Sequence, residues 1–335
     1  MVDIGIALLG LGRAGSFHLT SIATLPGVRL RQVYDIDQDR AARVAADTGS
    51  VAADDAVAAI GAPNVDAVVV ATPTLSHHDY VTAALGEGKP VLSEKPLGTE
   101  LAHIDRCYDT AARAGVPLLV AFQRRFDPSF AAAVTAAHRG EVGELQFIRS
   151  VSRDNPVPSI DYIRTSCGIF HDCVVHDLDM VCLLAPSPPA EVFAMASSFI
   201  DDIAAVGDVD NVVISLRFAS GLLATIDVNR RSVYGYDQRL EVFGDGGMLQ
   251  VGNRPQSTLS QETVIGAASA PIDYSFPTRY ADAYRSEFEC FLACVRDERD
   301  VPVTHDQVRL VHRLADAAEQ SARERVAVVV DDDPV

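Results

Sequence analysis

Apolar residues along the first 120 positions fall into short unbroken runs separated by amphipathic stretches. The run VDIGIALL (residues 2–9) suits a strand buried on both faces, and an amphipathic stretch follows from Ser16 to Thr24. LRQVYDID (30–37) predicts a second strand, and QDRAARVAADTG (38–49) a helix closed by Gly49. VDAVVVATPT (65–74) predicts a third strand, then a helix over HHDYVTAALGEG (77–88). The strand PVLSE (90–94), the helix LAHIDRCYDTAARAG (101–115) and the strand PLLVAF (117–122) complete the pattern. Such alternation implies a parallel sheet covered by helices.

After Phe122 the period changes. A helix over PSFAAAVTAAHRG (128–140) leads to the strand LQFIRSVS (145–152) and a loop over 153–161 rich in Pro, Asp and Ser. A helix is predicted from about Ile169 to Leu184, stopping before Pro186. Five strands follow at EVFAMASS (191–198), NVVISLRF (211–218), GLLATIDVN (221–229), QRLEVFG (238–244) and GMLQV (247–251). The links ASG and GDGG suit hairpins, so this sheet is expected to be largely antiparallel and open on one face. Two helices end the pattern, at 279–295 and 304–322, the second opening on the capping box Thr304-x-x-Gln307. The fold class expected is α/β for the first part and α+β for the second. The length of 335 residues exceeds what one core supports, and the change of pattern divides the chain into 1–123 and 124–335.

The formal charge of −18 argues against nucleic acid or an anionic membrane as partner and favours a small neutral molecule. No run of 18 apolar residues predicts a membrane span. The opening residues lack the basic segment of a secretory signal, and the six cysteines contain no Cys-x2-Cys pair. They are expected to be reduced thiols in a cytoplasmic protein. Of 28 basic residues only Lys89 and Lys95 are lysines. Lys95, within Glu94-Lys95-Pro96, therefore stands out. Lysine offers a compact ammonium whose pKa responds to burial, which arginine does not.

Gly10-Leu11-Gly12-Arg13-Ala14-Gly15 is a G-x-G-x-x-G run between a predicted strand and a predicted helix. In that setting the glycines allow a tight turn, close approach of the backbone to a pyrophosphate, and close helix–strand packing. The first part therefore reads as a dinucleotide-binding (Rossmann) domain. Asp35, at the end of the second strand, can accept from a ribose 2′-hydroxyl and would repel a 2′-phosphate, so NAD is expected rather than NADP.

CGIFHDCVVHDLDM (167–180) is the other exceptional stretch. On a regular helix Asp172, His176 and Asp179 share one face, while His171, Cys173 and Asp177 point elsewhere. Histidine suits a general base near neutral pH, and a carboxylate one turn away can orient a substrate or tune the imidazole. His171 and His176 are five apart, a poor spacing for one helical face, so no metal is expected.

Together GLGRAG, Asp35, ATPTLSHH (71–78), EKP (94–96), FQRRFDPSF (122–130), GIFHDCVVHDLDM, YGYDQRLEVFG (234–244) and RYADAYRSEFECF (279–291) resemble the glucose–fructose oxidoreductase / inositol dehydrogenase family, most of all its inositol-type branch. The resemblance spans nearly the whole chain. It implies an NAD-dependent dehydrogenase acting on a ring hydroxyl of a neutral polyol or sugar, with myo-inositol the first expectation. The implied catalytic set is Lys95, Asp172 and His176. Ala71, Thr72, Pro73, His77, Glu94, Lys95 and Gln123 are implied to join Gly10, Gly12, Arg13, Ala14, Gly15 and Asp35 in holding the cofactor. Arg124, Asp154 and Tyr236 are implied to join the catalytic set in contacting substrate hydroxyls, and sheet-to-sheet homotetramers are implied for the second domain.

Two departures bear on the substrate: Cys167 stands where related sequences often have glycine, and Gln123 lies at a position that varies among them. Oxidation of a pyranose or another inositol isomer is the competing enzymatic reading. A non-catalytic NAD-binding regulator is the competing reading outside catalysis.

Overall fold

The structure, a computed structural model, describes residues 3–330. The chain forms two compact units. The first runs to Gln123 and takes in Ala283–Arg309; the second holds Arg124–Asp282 and the chain from Leu310 on. A single cut after residue 123 would leave 283–309 with the second part, whereas this segment packs within the first unit.

The first unit alternates β1 (Ile4–Leu9), α1 (Arg13–Thr24), β2 (Val28–Tyr34), α2 (Gln38–Thr48), β3 (Val51–Ala52), α3 (Ala56–Gly61), β4 (Ala67–Val70), α4 (His77–Gly86), β5 (Val91–Glu94), α5 (Leu101–Ala114) and β6 (Leu118–Ala121). All strand pairs are parallel, in the order β3-β2-β1-β4-β5-β6. β4, β5 and β6 are wholly buried, and β4 and β6 accordingly read as unbroken apolar runs, while β5 ends in Ser93-Glu94. The order reverses between β1 and β4, and the carboxyl ends of the strands beside that point are where a parallel sheet of this kind binds its ligand.

The second unit begins with α6 (Pro128–His138), β7 (Leu145–Arg153) and α7 (Ile160–Thr165). A π-helical turn over Phe170–Val174 then runs into α8 (Val175–Leu184). After β8 (Pro189–Ser197) and α9 (Asp201–Ala205) come β9 (Asn211–Phe218), β10 (Leu223–Asn229), β11 (Asp237–Gly244) and β12 (Gly247–Val251). A small hairpin of β13 (Ser260–Thr263) and β14 (Gly266–Ser269) precedes α10 (Phe276–Arg279); α11 (Ala281–Val295) and the start of α12 (His305–Glu324) then pass through the first unit, and the rest of α12 and β15 (Val328–Val329) return to the second. The main sheet is ordered β12-β11-β7-β10-β9-β8-β15 and is antiparallel except where β10 runs parallel to β7.

α6 and α8 cover one face of this sheet. The other face exposes Phe193, Met195, Val213, Leu223, Phe243 and Met248. Along β9 buried and exposed residues alternate strictly, as a one-sided sheet requires. The capping box forms with both arms, Gln307 N–H donating to Thr304 Oγ1 at 3.3 Å and Thr304 N–H to Gln307 Oε1 at 3.1 Å. No helix among the described residues is long and apolar enough to cross a membrane.

Candidate active site

In the first unit the predicted cofactor residues gather at the carboxyl edge of the parallel sheet. Gly10 follows β1 with φ +90°, and a Cβ there would lie 2.4 Å from the carbonyl oxygen of Ala71. A Cβ on Gly15 would meet the Gly10 carbonyl oxygen at 2.1 Å, so only glycine lets α1 start this close to β1. Gly12 has open space around its Cα. It caps α1 without any side-chain hydrogen bond, and the first turn, opening with Arg13-Ala14, carries no acidic residue. The helix thus presents its first N–H groups and its positive end to an anion. These features fit a pyrophosphate cradle.

Asp35 is buried just past β2. Its carboxylate accepts from Leu11 N–H at 2.7 Å and from Asp37 N–H at 2.9 Å, and Arg40 Nη1 lies 3.4 Å away. The residue therefore fixes the glycine loop as well as offering negative charge beyond it. Ala71, Thr72 and Pro73 follow β4. Thr72 Oγ1 accepts from Ser76 Oγ at 2.8 Å. His77 opens α4, with Nε2 at 2.7 Å from Thr72 O and Nδ1 at 2.8 Å from Pro96 O. Burial pulls the His77 pKa below its usual value, against the two carbonyls and Glu94, which favour the cation.

Glu94 ends β5 as a buried carboxylate 3.0 Å from His18 Nε2, and Lys95 follows it half-buried. Gln123 is buried in the turn after β6. Glu287, on α11, is fully buried, and neither of its carboxylate oxygens has a hydrogen-bond partner. Burial, with Glu94 nearby, pushes its pKa well above the ordinary carboxylate value.

In the second unit the stretch 167–180 is not one regular helix. Cys167 and Gly168 both take positive φ, +65° and +78°, and the backbone then enters the π-turn that carries His171, Asp172 and Cys173. The predicted shared stripe of Asp172, His176 and Asp179 is correspondingly divided. Asp179 is buried against Arg125, whose Nε and Nη2 reach its carboxylate at 2.9 and 2.5 Å. Asp172 accepts from Arg230 Nη1 at 2.9 Å and from Tyr162 O–H at 2.7 Å. Arg230 is completely buried and its Nη2 donates to Asp208 at 3.1 Å; Asp208 in turn accepts from Ile169 N–H at 3.2 Å. Burial opposes the charge on Arg230, but Cys173, Asp172 and Asp208 around it hold its pKa above the ordinary value. His176 stands four residues on from Asp172 in α8, half-buried.

Asp154 joins this group. Cys173 Sγ lies 3.6 Å from Asp154 Oδ2 and 3.8 Å from Asp172 Oδ2. The Asp154 backbone is fixed by a bond to Asn229 O at 2.8 Å and by Ser232 N–H donating to its carbonyl at 2.6 Å. Tyr236 is buried edge-on to Tyr280, ring centres 5.9 Å apart, and burial raises its pKa well above 10. Arg124 is buried within the second unit, donating to Asp177 at 2.8 Å. That carboxylate also accepts from Ser150 and Ser152, each at 2.6 Å.

Residues 4–122 match the model of an oxidoreductase family with an NAD-binding Rossmann fold, and residues 130–250 match the GFO/IDH/MocA C-terminal domain. The chain belongs to the GFO/IDH/MocA oxidoreductase family. Among its curated relatives, the myo-inositol 2-dehydrogenase of Thermotoga maritima is 36% identical over 329 residues, covering 98% of each chain. The inositol 2-dehydrogenase of Rhizobium meliloti is also 36% identical, over 97% of this chain and 98% of its own. The crystal structure of a myo-inositol dehydrogenase from Corynebacterium glutamicum superposes with a TM-score of 0.92 at 33% identity, covering 98% of this chain and 99% of that one.

Within this GFO/IDH/MocA chain, no sequence motif marks Tyr162 and Arg230, which hold Asp172, or Asp208, which holds Arg230. Arg230 and Arg231 are adjacent and chemically identical, yet the first is fully buried and the second exposed. Strand alternation along β10 was the one available signal, since it turns position 230 inward.

Proposed function

We propose that the chain oxidises a ring hydroxyl of a cyclitol with NAD, converting myo-inositol to 2-keto-myo-inositol (scyllo-inosose). The observation that carries this reading is its end-to-end likeness, at 36% identity, to relatives named as inositol 2-dehydrogenases. The open Gly12, the uncapped start of α1 and the carboxylate of Asp35 suit a dinucleotide diphosphate and a free ribose 2′-hydroxyl. NAD, when bound, supplies the hydride acceptor.

In this reading residues 1–123 hold the cofactor, and 124–335 hold the substrate and make subunit contacts. His176 takes the hydroxyl proton, the role an imidazole fills best near neutral pH. Lys95 donates a hydrogen bond to the same oxygen and stabilises the negative charge that develops as the C–H bond breaks. Asp172, kept ionised and oriented by Arg230 and Tyr162, holds a neighbouring hydroxyl. Asp154 and Tyr236 receive further hydroxyls. Arg124, which pairs with Asp177 through Nη1 alone, offers its remaining donors to another substrate hydroxyl. Thr72, Pro73, His77, Glu94 and Gln123 shape the cofactor side.

Many fixed donors and acceptors with little net charge suit a neutral polyol. We place the enzyme in a reducing cytoplasm, consistent with six cysteines that form no disulfide. We also read it as a homotetramer whose open sheet face meets another copy, which would cover the exposed Phe193, Met195 and Phe243.

A second reading, with scyllo-inositol as substrate, draws on the scyllo-inositol 2-dehydrogenase (NAD(+)) of Bacillus subtilis, 32% identical over 98% of this chain. The test is NADH formation across a panel of myo-inositol, scyllo-inositol, other isomers and pyranoses, repeated with NADP. Turnover of myo-inositol with NAD is expected. Reduction only with a pyranose, or with no polyol at all, would overturn the proposal in favour of a sugar dehydrogenase or a regulator.

A further inference from the structure

We propose that His171, His312 and Asp316 form a site for one transition-metal dication of the zinc class, separate from the residues assigned to the redox chemistry. His171 lies in the π-turn Phe170–Val174, while His312 and Asp316 are four residues apart on α12 and so project from the same helical face. All three belong to the second unit.

His171 Nε2 is 3.0 Å from one carboxylate oxygen of Asp316, and His312 Nε2 is 3.7 Å from the other. The two imidazole centres are 4.7 Å apart, and one ligand atom from each residue lies within 4.8 Å of the other two. Tetrahedral zinc with bonds of about 2.0–2.2 Å keeps its ligand atoms about 3.4 Å apart, and the separations of 3.0 and 3.7 Å, each to a different oxygen of Asp316, lie near that spacing.

An ordinary His–Asp hydrogen bond accounts for His171 and Asp316. It does not account for a second imidazole facing the other oxygen of the same carboxylate. Both histidines are buried, which fixes the rings, whereas the Asp316 side chain is 53% exposed and leaves a way in for the ion and for a water as fourth ligand. Two imidazoles and one carboxylate select zinc, cobalt, nickel or copper over magnesium or calcium. An ion here would tie the turn that carries Asp172 to α12. The partner for His171 comes from a distant helix, not from His176, five residues along.

The test is titration of the chelator-treated full chain with Zn²⁺ by calorimetry, and with Co²⁺ by visible absorption. The wild type is expected to bind one ion per chain, with tetrahedral Co²⁺ bands, no thiolate charge-transfer band and a higher Tm in the presence of Zn²⁺. His312→Gln and Asp316→Asn should each lose at least tenfold in affinity and lose the Tm increment, while matching the wild-type Tm in chelator. His176→Ala should bind as the wild type does. No stoichiometric binding by the wild type, binding retained by both site variants, or a thiolate band would overturn the proposal.

Discussion

Arg230 donates to Asp172 across 2.9 Å, with the arginine side chain fully buried and the aspartate side chain 9% exposed. A buried guanidinium of this kind holds its carboxylate ionised and in one orientation. Removing it would leave Asp172 and Asp208 facing each other without a cation, so Arg230→Met is expected to destabilise the fold by about 3–5 kcal/mol. Chemical denaturation measures this.

Tyr162 offers a gentler probe of the same carboxylate, because its ring is partly exposed and its hydroxyl donates to Asp172 at 2.7 Å. Tyr162→Phe should leave Tm nearly unchanged. It should lower kcat/KM for the cyclitol by about tenfold or more, the worth of one hydrogen bond to a charged group. An unchanged kcat/KM would remove Asp172 from substrate binding.

Asp35 anchors the backbone of the glycine loop and, in the proposed function, also presents charge toward the cofactor ribose. Asp35→Asn should raise the KM for NAD by about 10- to 100-fold, since hydrogen bonds to a charged group are lost or weakened. It should also narrow the preference for NAD over NADP. Initial rates with both cofactors decide this, and a variant that keeps the full preference would show that discrimination lies elsewhere.

Cys167 sits at φ +65°, a left-handed conformation that costs a residue with a Cβ about 1–2 kcal/mol. Glycine adopts it freely but loses more entropy on folding. Cys167→Gly is therefore expected to be neutral or to stabilise by up to about 1 kcal/mol. A clear loss of stability would mean that the thiol makes contacts worth more than the strain.

Glu287 gives a pH signature. Its pKa in the folded protein is raised well above the unfolded value near 4.5, so the folded state keeps a proton that the unfolded chain gives up. Its contribution to stability is fully present below pH 4.5 and falls as pH rises toward the folded pKa, by up to about 1.4 kcal/mol per unit. Glu287→Gln should lack this component. Its Tm relative to wild type should climb between pH 5 and 8, and a pH-independent difference would contradict the assignment.

The parallel half of the fold was legible because strands buried on both faces are continuous apolar runs bounded by glycines and helix caps. β3, with only two residues, and α3, with six, are too short to produce a period. The second sheet announced itself through alternation and tight links, although the parallel pairing of β10 with β7 has no local signature. The turn at 170–174 was read as regular helix because a π-turn differs only in which carbonyl each N–H chooses. The side chains that hold Asp172 come from α7 and the end of β10, with Asp208 of the α9–β9 loop bracing Arg230, and no spacing rule links residues 162, 208 and 230.

The central claim is that Lys95 and His176 serve the alcohol being oxidised. NADH formation from myo-inositol should be measured for the wild type, Lys95→Met and His176→Ala, with NAD affinity determined separately by fluorescence. The wild type should turn over. The lysine variant should lose about 10²–10³ in kcat and the histidine variant about 10²–10⁴ at neutral pH, each with NAD affinity within about twofold of wild type. Near-normal kcat in either variant would contradict the account.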